Sequence, residues 1–232
     1  MPEDPSPRRA TAENSAVDAD AAAKPVHILV LASGGGTNLQ ALIDAQTDGA
    51  FERGGITAGR IIAVLSDRSE AYALERARAA GIPAFVEKPN PSLAKPERRR
   101  DLSDRVLRLC REKHIDLIVY AGFLSILAGD IIHEYAGRMI NLHPSLLPKF
   151  GGEGMYGDHV HRAVLAAGET ESGCTVHLVD AGTDTGPILL QRKIPVLPDD
   201  TPESLAGRIH REEHLAIVEG VKLMLENCGW RT

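Results

Sequence analysis

The sequence has little cysteine, no long apolar run and no excess of positive charge. Its three cysteines, Cys110, Cys174 and Cys228, lie far apart in a chain of 232 residues and form no CxxC pair. This usage indicates neither a disulfide framework nor a structural zinc site, and it favours the reducing cytoplasm. No apolar segment approaches the length that a membrane span requires, so we expect no association with a membrane.

The charge balance excludes a broad class of partners. Lysine and arginine number 26 against 32 acidic residues, which gives a formal net charge of -6. A basic surface that binds nucleic acid or anionic membrane is therefore not expected. A local loop can bind an anionic small molecule whatever the global sign, so we expect small-molecule substrates. Both a monomer and a homodimer are compatible with this sequence.

The chain divides into a tail and one domain. The first 24 residues are rich in alanine, proline and acidic residues, and they lack the apolar stretch of a secretory signal. We interpret residues 1–24 as a disordered tail. Residues 25–232 are long enough for a single α/β domain with a sizeable core. A chain with 43% apolar and 25% charged residues is ordinary for a globular protein.

Strand and helix patterns alternate along the first half of this domain. Continuous apolar runs predict buried strands, and apolar residues at helical spacing predict the helices. The strands are predicted at 26–32, 60–66, 82–86, 115–120, 139–142, 172–179 and 187–195, and the helices at 39–45, 71–80, 97–113, 125–135, 159–167 and 201–226. This order predicts a Rossmann-like α/β fold, with a mostly parallel sheet and helices on both faces.

The first strand runs into a glycine-rich loop, Ser33-Gly-Gly-Gly-Thr-Asn38. One interpretation is a phosphate cradle, because glycines let backbone N–H groups approach an anion and the next helix N-terminus favours negative charge. The other is a tight strand-to-helix turn in which Thr37 or Asn38 only caps the helix. The loop is neither a Walker loop nor GxGxxG, since Leu39 stands where the third glycine would be.

Asn141 and His143 lie where a strongly apolar strand ends, just before Pro144. Two residues apart in an extended chain, their side chains project from the same face. Asparagine can donate to an oxygen that gains negative charge, and histidine exchanges protons near neutral pH, so the pair suits acyl transfer. The alternative is a polar pair satisfied within the fold. The pair lies at the carboxyl end of a strand, where ligands of open α/β sheets bind, and this position favours the functional interpretation.

Three further signals are weaker. Asp184 could hold the tautomer of His143 and raise its pKa, or it could be a solvated loop acid. Glu213, on the last helix, could bind a hydroxyl or be an exposed helix charge. His159 and His161 lack the matched ligands of a metal site, so we expect no metal.

Taken together, five segments resemble the phosphoribosylglycinamide formyltransferases, the folate-dependent transformylases of purine synthesis. The likeness runs from about Val26 to Met224. The Asn-x-His-Pro-Ser-Leu-Leu-Pro segment is highly specific for the formyltransferase superfamily, and the glycine loop narrows it to the glycinamide branch. The segments are Ser33-Gly-Gly-Gly-Thr-Asn-Leu39, Ala121-Gly-Phe-Leu-Ser-Ile-Leu127, Asn141-Leu-His-Pro-Ser-Leu-Leu-Pro-Lys149, Asp184-Thr-Gly-Pro187 and Glu213-His214.

The resemblance implies the formyltransferase fold and an enzyme with two small-molecule substrates. A formyl group would move from 10-formyltetrahydrofolate, the co-substrate, to the glycine amine of 5-phosphoribosylglycinamide, in de novo purine biosynthesis and without a metal. Glu213 would bind the ribose hydroxyls, and Arg99 would contact the folate. The phosphate would be held by Gly36, Thr37 and Asn38, and the pterin pocket would be lined by Leu124, Ser125, Ile126, Leu127 and Asn141.

The resemblance also assigns catalytic roles. Asn141 and a charged His143 would stabilise a tetrahedral oxyanion, and Asp184 would keep His143 charged. The sequence departs from the family pattern at three places: Gly35 replaces a common asparagine, Ser125 replaces a common arginine, and residues 150–157 form a longer loop.

Other functions remain as alternatives. A methionyl-tRNA formyltransferase would need a further RNA-binding domain and a basic surface, and a formyltetrahydrofolate hydrolase would need an N-terminal regulatory domain. A non-catalytic nucleotide-binding module would use only the glycine loop. That module leaves the joint presence of Asn141, His143 and Asp184 unexplained.

Overall fold

The computed structural model describes residues 24–52 and 58–227. The expected tail at 1–24 falls outside these ranges, apart from Lys24, and Cys228 lies outside them as well. Within the described residues no helix is both long enough and apolar enough to span a membrane.

Strands and helices alternate up to the sixth strand, which confirms the alternation predicted for the first half of the domain, and the sixth and seventh strands follow each other without a helix between them. The strands are β1 (Val26–Leu31), β2 (Gly59–Ser66), β3 (Ala84–Val86), β4 (Leu117–Tyr120), β5 (Met139–His143), β6 (Glu171–Leu178) and β7 (Ile188–Pro195). The helices are α1 (Thr37–Thr47), α2 (Tyr72–Ala79), α3 (Lys95–Glu112), α4 (Asp130–Glu134), α5 (Asp158–Ala166) and α6 (Pro202–Glu226).

The strands form one sheet in the order β3-β2-β1-β4-β5-β6-β7. The first five strands of this order are parallel, and β6 and β7 are antiparallel to their neighbours. The predicted α/β fold with a mostly parallel sheet is confirmed. From β1 the chain moves outward to β3, then returns to β4 on the other side of β1. Such a reversal opens a crevice at the carboxyl ends of β1 and β4, where ligands of open α/β sheets bind.

The apolar side chains of β1 divide between two cores, one on each face of the sheet. Ile28 and Val30 belong to the core that also contains side chains of α1, α2, α5 and α6. Leu29 and Leu31 belong to the other core, with side chains of α3 and α4. Burying one such side chain contributes about 1.5–3 kcal/mol. The predicted placement of helices on both faces is confirmed.

One predicted helix is wrong in its extent. The sequence pattern predicts a helix at 125–135, whereas α4 spans only Asp130–Glu134. Gly129, which precedes it, has φ 79°, a value that favours glycine, and the helix begins directly after it. The apolar spacing of residues 124–127 has another cause, because these residues line a cavity.

Candidate active site

A cavity of about 820 Å³ lies at the carboxyl ends of the parallel strands. It is bounded by the glycine loop after β1, the segment after β4, the end of β5, the loop after β6 and the middle of α6. Every site residue predicted from the sequence lines it: Gly36, Thr37, Asn38, Arg99, Leu124, Ser125, Ile126, Leu127, Asn141, His143, Asp184 and Glu213.

His143 is held between two oxygen acceptors. Its Nδ1 lies 3.4 Å from Oδ2 of Asp184, and its Nε2 donates to the carbonyl oxygen of Phe150 at 2.8 Å. The imidazole is 3% exposed. Two acceptors facing the two ring nitrogens are the partners that a doubly protonated imidazolium requires, because a neutral ring has only one N–H.

Burial works against that charge. Burial lowers the pKa of His143, and this effect outweighs the Asp184 carboxylate and the Phe150 carbonyl, which both act to raise it. Asp184 acts to keep His143 charged, as the sequence analysis expects, but in the substrate-free protein desolvation has the larger effect on the pKa. The imidazole lies in a site that can receive a proton.

Asp184 is ionised and fixed from several directions. Burial acts to raise its pKa, yet contacts with His177, His143 and Gly152 together hold the pKa below its ordinary value. The backbone N–H of Gly152 donates to Oδ2 at 2.9 Å. Asp184 has φ 59°, a left-handed conformation that aspartate adopts more readily than most residues. It is not a solvated loop acid.

His177 is a site residue that the sequence analysis missed. It lies opposite Asn141 in the antiparallel pairing of β5 and β6, and it is 2% exposed. Its Nδ1 donates to the carbonyl oxygen of Leu178 at 2.8 Å, and its Nε2 lies 3.1 Å from the amide nitrogen of Asn141. The sequence places a lone histidine near the end of a predicted strand, but which residue lies beside it depends on the register between strands.

The glycine loop leads directly into α1. Gly36 has φ 70° at the N-cap, and no side chain caps the helix. The interpretation that Thr37 or Asn38 only caps the helix is therefore wrong. The first N–H groups of a helix have no partner within the helix, so the N-terminus of α1 presents donors to an anion in the cavity.

Glu213 is a buried carboxylate beneath this loop. It is 4% exposed, and its Oε2 accepts from Nδ2 of Asn38 at 3.3 Å and from Nδ1 of His210 at 2.7 Å. The bond to Glu213 raises the pKa of His210, although burial acts against it. Glu213 is buried, so the alternative interpretation of this residue as an exposed charge on the last helix is wrong.

His161 and His210 also line this end of the cavity. His161 is 2% exposed, and its Nδ1 has no hydrogen-bond partner. Burial lowers its pKa, while Glu213 acts in the opposite direction. Within residues 24–52 and 58–227, no three His, Cys, Asp or Glu side chains are grouped so that they could hold a metal ion.

The opposite wall is built by the segment after β4 and by α3. The backbone N–H of Leu124 donates to Oγ of Ser33 at 2.8 Å, which ties this segment to the glycine loop. The hydroxyl of Ser125 donates to Oδ2 of Asp67 at 2.6 Å. Arg99 faces the cavity from α3, and its Nη2 lies 3.0 Å from a carboxylate oxygen of Glu153.

Comparison with known proteins agrees with this geometry. A family model described as formyl transferase matches residues 26–221. The phosphoribosylglycinamide formyltransferase of Escherichia coli K12 is 37% identical over 213 residues, which cover 88% of this chain and 93% of that protein. The trifunctional purine biosynthetic protein adenosine-3 of Drosophila melanogaster is 42% identical over 203 residues. That match covers 87% of this chain but 14% of the much longer insect protein.

Solved structures give the same result for the fold. Glycinamide ribonucleotide transformylase 1 from Symbiobacterium toebii has a TM-score of 0.76 and 39% identity, covering 88% of this chain and 89% of that one. A formyltetrahydrofolate deformylase from Pseudomonas syringae also has a TM-score of 0.76, with 23% identity and coverage of 89% of this chain and 63% of that one. At that identity the deformylase supports the fold alone.

Proposed function

The chain belongs to the formyl transferase family, and we propose that it transfers a formyl group from 10-formyltetrahydrofolate to the glycine amine of 5-phosphoribosylglycinamide. The products are the N-formyl ribonucleotide and tetrahydrofolate, in de novo purine biosynthesis. One observation carries the proposal. A single cavity joins an uncapped helix N-terminus and a buried carboxylate at one end to Asn141, His143 and Asp184 in the middle and to Arg99 at the other end.

The ribonucleotide fits the end formed by α1 and α6. The N-terminus of α1, with Gly36, Thr37 and Asn38, suits a phosphate, since backbone donors and the helix dipole both favour an anion. Glu213 is a buried acceptor beside that N-terminus, in contact with Asn38. A carboxylate accepts hydrogen bonds from two vicinal hydroxyls.

The formyl folate fits the wall formed by the segment after β4. Leu124, Ser125, Ile126 and Leu127 present backbone groups and apolar side chains to the cavity, as the flat, hydrogen-bonding pterin ring requires. The hydroxyl of Ser125 already donates its hydrogen to Asp67, so at this position the side chain can only accept a hydrogen bond from the ring. Arg99 supplies a cation for the anionic glutamate part of the donor.

The residues of β5 and the loop after β6 carry the chemistry. The glycine amine adds to the formyl carbon, negative charge develops on the formyl oxygen, and the bond to the folate nitrogen then breaks. Asn141 and His143 stabilise the developing charge, and Asp184 stabilises a proton on His143. The amine gives up a proton and the departing folate nitrogen gains one, directly or through water. Losing one donor to the oxyanion would raise the barrier by about 3–4 kcal/mol.

The compartment we propose is the cytoplasm. Cys110 and Cys174 are buried free thiols, which a reducing compartment preserves. The partners we propose are the two small-molecule substrates.

One absorbance experiment tests the proposed reaction. The purified protein is mixed with 10-formyltetrahydrofolate, with and without glycinamide ribonucleotide, and the conversion of the folate is followed. We expect conversion that requires the ribonucleotide and that falls sharply in Asp184→Asn. Conversion without the ribonucleotide would instead favour a hydrolase. No conversion under either condition would reject both enzymes and favour a nucleotide-binding module.

A further inference from the structure

A carboxylate of the protein itself forms ion pairs with two cationic side chains of α3, the cation pair Lys95 and Arg99. Glu153, in the long loop 150–157, contacts both Arg99 and Lys95, with 3.0 Å between Nη2 of Arg99 and Oε1 of Glu153. All three side chains line the cavity. Arg98, beside them, is engaged elsewhere, since it donates to the carbonyl oxygens of Pro91 and Leu93.

This contact lies on the side of the cavity away from the ribonucleotide end. Side chains of α3 pack in the core on one face of the sheet, and those of α6 pack in the core on the other face. The two ends of the cavity are therefore chemically distinct. One has a helix N-terminus over a buried carboxylate, and the other has two cations that hold an exposed carboxylate.

The same loop also touches the catalytic groups. Three positions before Glu153, the carbonyl oxygen of Phe150 accepts from Nε2 of His143 at 2.8 Å. One position before it, the N–H of Gly152 donates to Asp184 at 2.9 Å. A short stretch of backbone thus links the cation pair on α3 to both His143 and Asp184.

We infer that, in the substrate-free protein, the carboxylate of Glu153 occupies the position on Arg99 and Lys95 that the tail carboxylate of the formyl donor takes when the donor binds. The two carboxylates exchange on binding. The inference rests on the proposed function, because it needs a donor with an anionic tail. It makes Glu153 a specificity-determining residue, because its carboxylate competes only with donors whose tail is an anion, and it therefore lowers the affinity of the site for those donors.

The physical character of the contact permits such an exchange. The side chain of Glu153 is 50% exposed, and that of Lys95 is 67% exposed. Ion pairs this exposed are weak, so a ligand carboxylate can displace Glu153 at small cost. Lys95 and Arg99 hold the pKa of Glu153 below its ordinary value, so the competing group is an anion at neutral pH.

The test compares two donors that differ only in the tail. One is a stable 10-formyl folate analogue with its glutamate, and the other is the same analogue with a neutral methylamide in place of the glutamate. Their affinities are measured by calorimetry for the wild-type protein, for Glu153→Gln and for Glu112→Gln. The last variant removes the same charge at the far end of α3, where Glu112 contacts Lys113.

We expect Glu153→Gln to bind the glutamate-bearing analogue about three- to tenfold more tightly than the wild type, within the range that loss of two exposed competing ion pairs allows. The neutral analogue should bind both proteins equally, and Glu112→Gln should match the wild type with both analogues. Equal affinities of Glu153→Gln and wild type for the glutamate-bearing analogue, or weaker binding by Glu153→Gln, would overturn the inference.

The outcomes also separate this inference from the proposed function. If the wild type converts the natural donor but Glu153→Gln shows no tail-dependent gain, only the role of Glu153 is rejected. If the wild type neither binds the analogues nor converts the donor, the proposed function falls, and the inference falls with it.

Discussion

The amide nitrogen of Asn141 lies 3.1 Å from Nε2 of His177, on the neighbouring strand β6. Nδ1 of His177 donates to a backbone carbonyl, and in the tautomer with its hydrogen on Nδ1 the amide of Asn141 donates to Nε2. The same amide nitrogen is 3.3 Å from Oδ1 of Asp184. Both side-chain N–H bonds of Asn141 therefore have partners without substrate, and the proposed donation of the amide to a developing oxyanion requires one of them to be exchanged.

Replacing His177 with leucine should lower kcat about tenfold and change both KM values less than twofold. The loss corresponds to about 1.4 kcal/mol, within the usual net value of one hydrogen bond, because Asn141 would no longer be oriented. His177→Gln keeps an acceptor and should recover much of the rate. Steady-state kinetics with both substrates distinguishes the variants, and an unchanged kcat in His177→Leu would show that β6 does not orient Asn141.

Asp184→Asn should reduce kcat by roughly two to three orders of magnitude, the usual size of a lost contribution to transition-state charge. Asparagine tolerates the left-handed φ of 59° at this position, so the change tests charge rather than backbone strain. The pKa of His143, followed by NMR, should fall further, because the Asp184 carboxylate acts to raise it.

Asp180 offers a control in the same loop. Its carboxylate accepts from the N–H of Gly182 at 3.0 Å and from the hydroxyl of Thr185 at 2.7 Å. Asp180→Asn should change kcat less than threefold. Equal losses of activity in Asp180→Asn and Asp184→Asn would mean that the activity depends on the conformation of the loop and not on the charge of Asp184.

Gly36→Ala should destabilise the protein by about 1–3 kcal/mol and raise KM for the ribonucleotide. A Cβ at Gly36 would lie 2.7 Å from Cα and Cβ of Ala73, and φ there is 70°. Gly35→Ala is the matched control for stability, since a Cβ at Gly35 meets no atom within 4 Å. Urea unfolding of both variants should show a lowered free energy of unfolding only for Gly36→Ala.

The free energy of unfolding should fall as the pH decreases from 7.5 to 5.5. Burial lowers the pKa of His143 and of His161 in the folded protein, so the unfolded chain binds more protons over this range. The stability from these groups is present above the unfolded pKa of about 6.5 and is lost as the pH falls through the folded values. Urea unfolding at a series of pH values measures the slope, and a flat profile would contradict it.

The contribution of His210 to the free energy of unfolding should have the opposite pH dependence. Its pKa is raised by Glu213, so its contribution to stability is present below about pH 6.5 and is lost as the pH rises through the folded value. Glu213→Gln should return the pKa of His210 toward its ordinary value, which NMR can follow. It should also raise KM for the ribonucleotide, because the acceptor beneath the glycine loop loses its charge.

Much of the fold was predictable because the strands of a parallel sheet are buried on both faces. Such strands appear as continuous apolar runs, as in Val26–Leu31, and their order with helices restricts the topology to few choices. The same logic failed after β4. Leu124, Ile126 and Leu127 have helical spacing, yet they face a cavity, and apolar spacing does not distinguish a cavity wall from a core.

The site was predictable where one segment contains the signal. Asn141 and His143 stand together at the end of an apolar run, and the glycine loop is continuous. His177 was not predictable, since its neighbour follows from the register of an antiparallel pair. The contacts of His143 and Asp184 with loop 150–157 were not predictable either, because they involve backbone atoms, which have no side-chain signature.

Glu213 and Asn38 are in contact although 175 positions separate them in the chain. On the ribosome, a nascent chain that has emerged as far as β7 already contains the glycine loop and all seven described strands. It does not yet contain the carboxylate that holds Asn38. The end of the cavity that we propose for the nucleotide is therefore completed only when α6 has been synthesised and has docked.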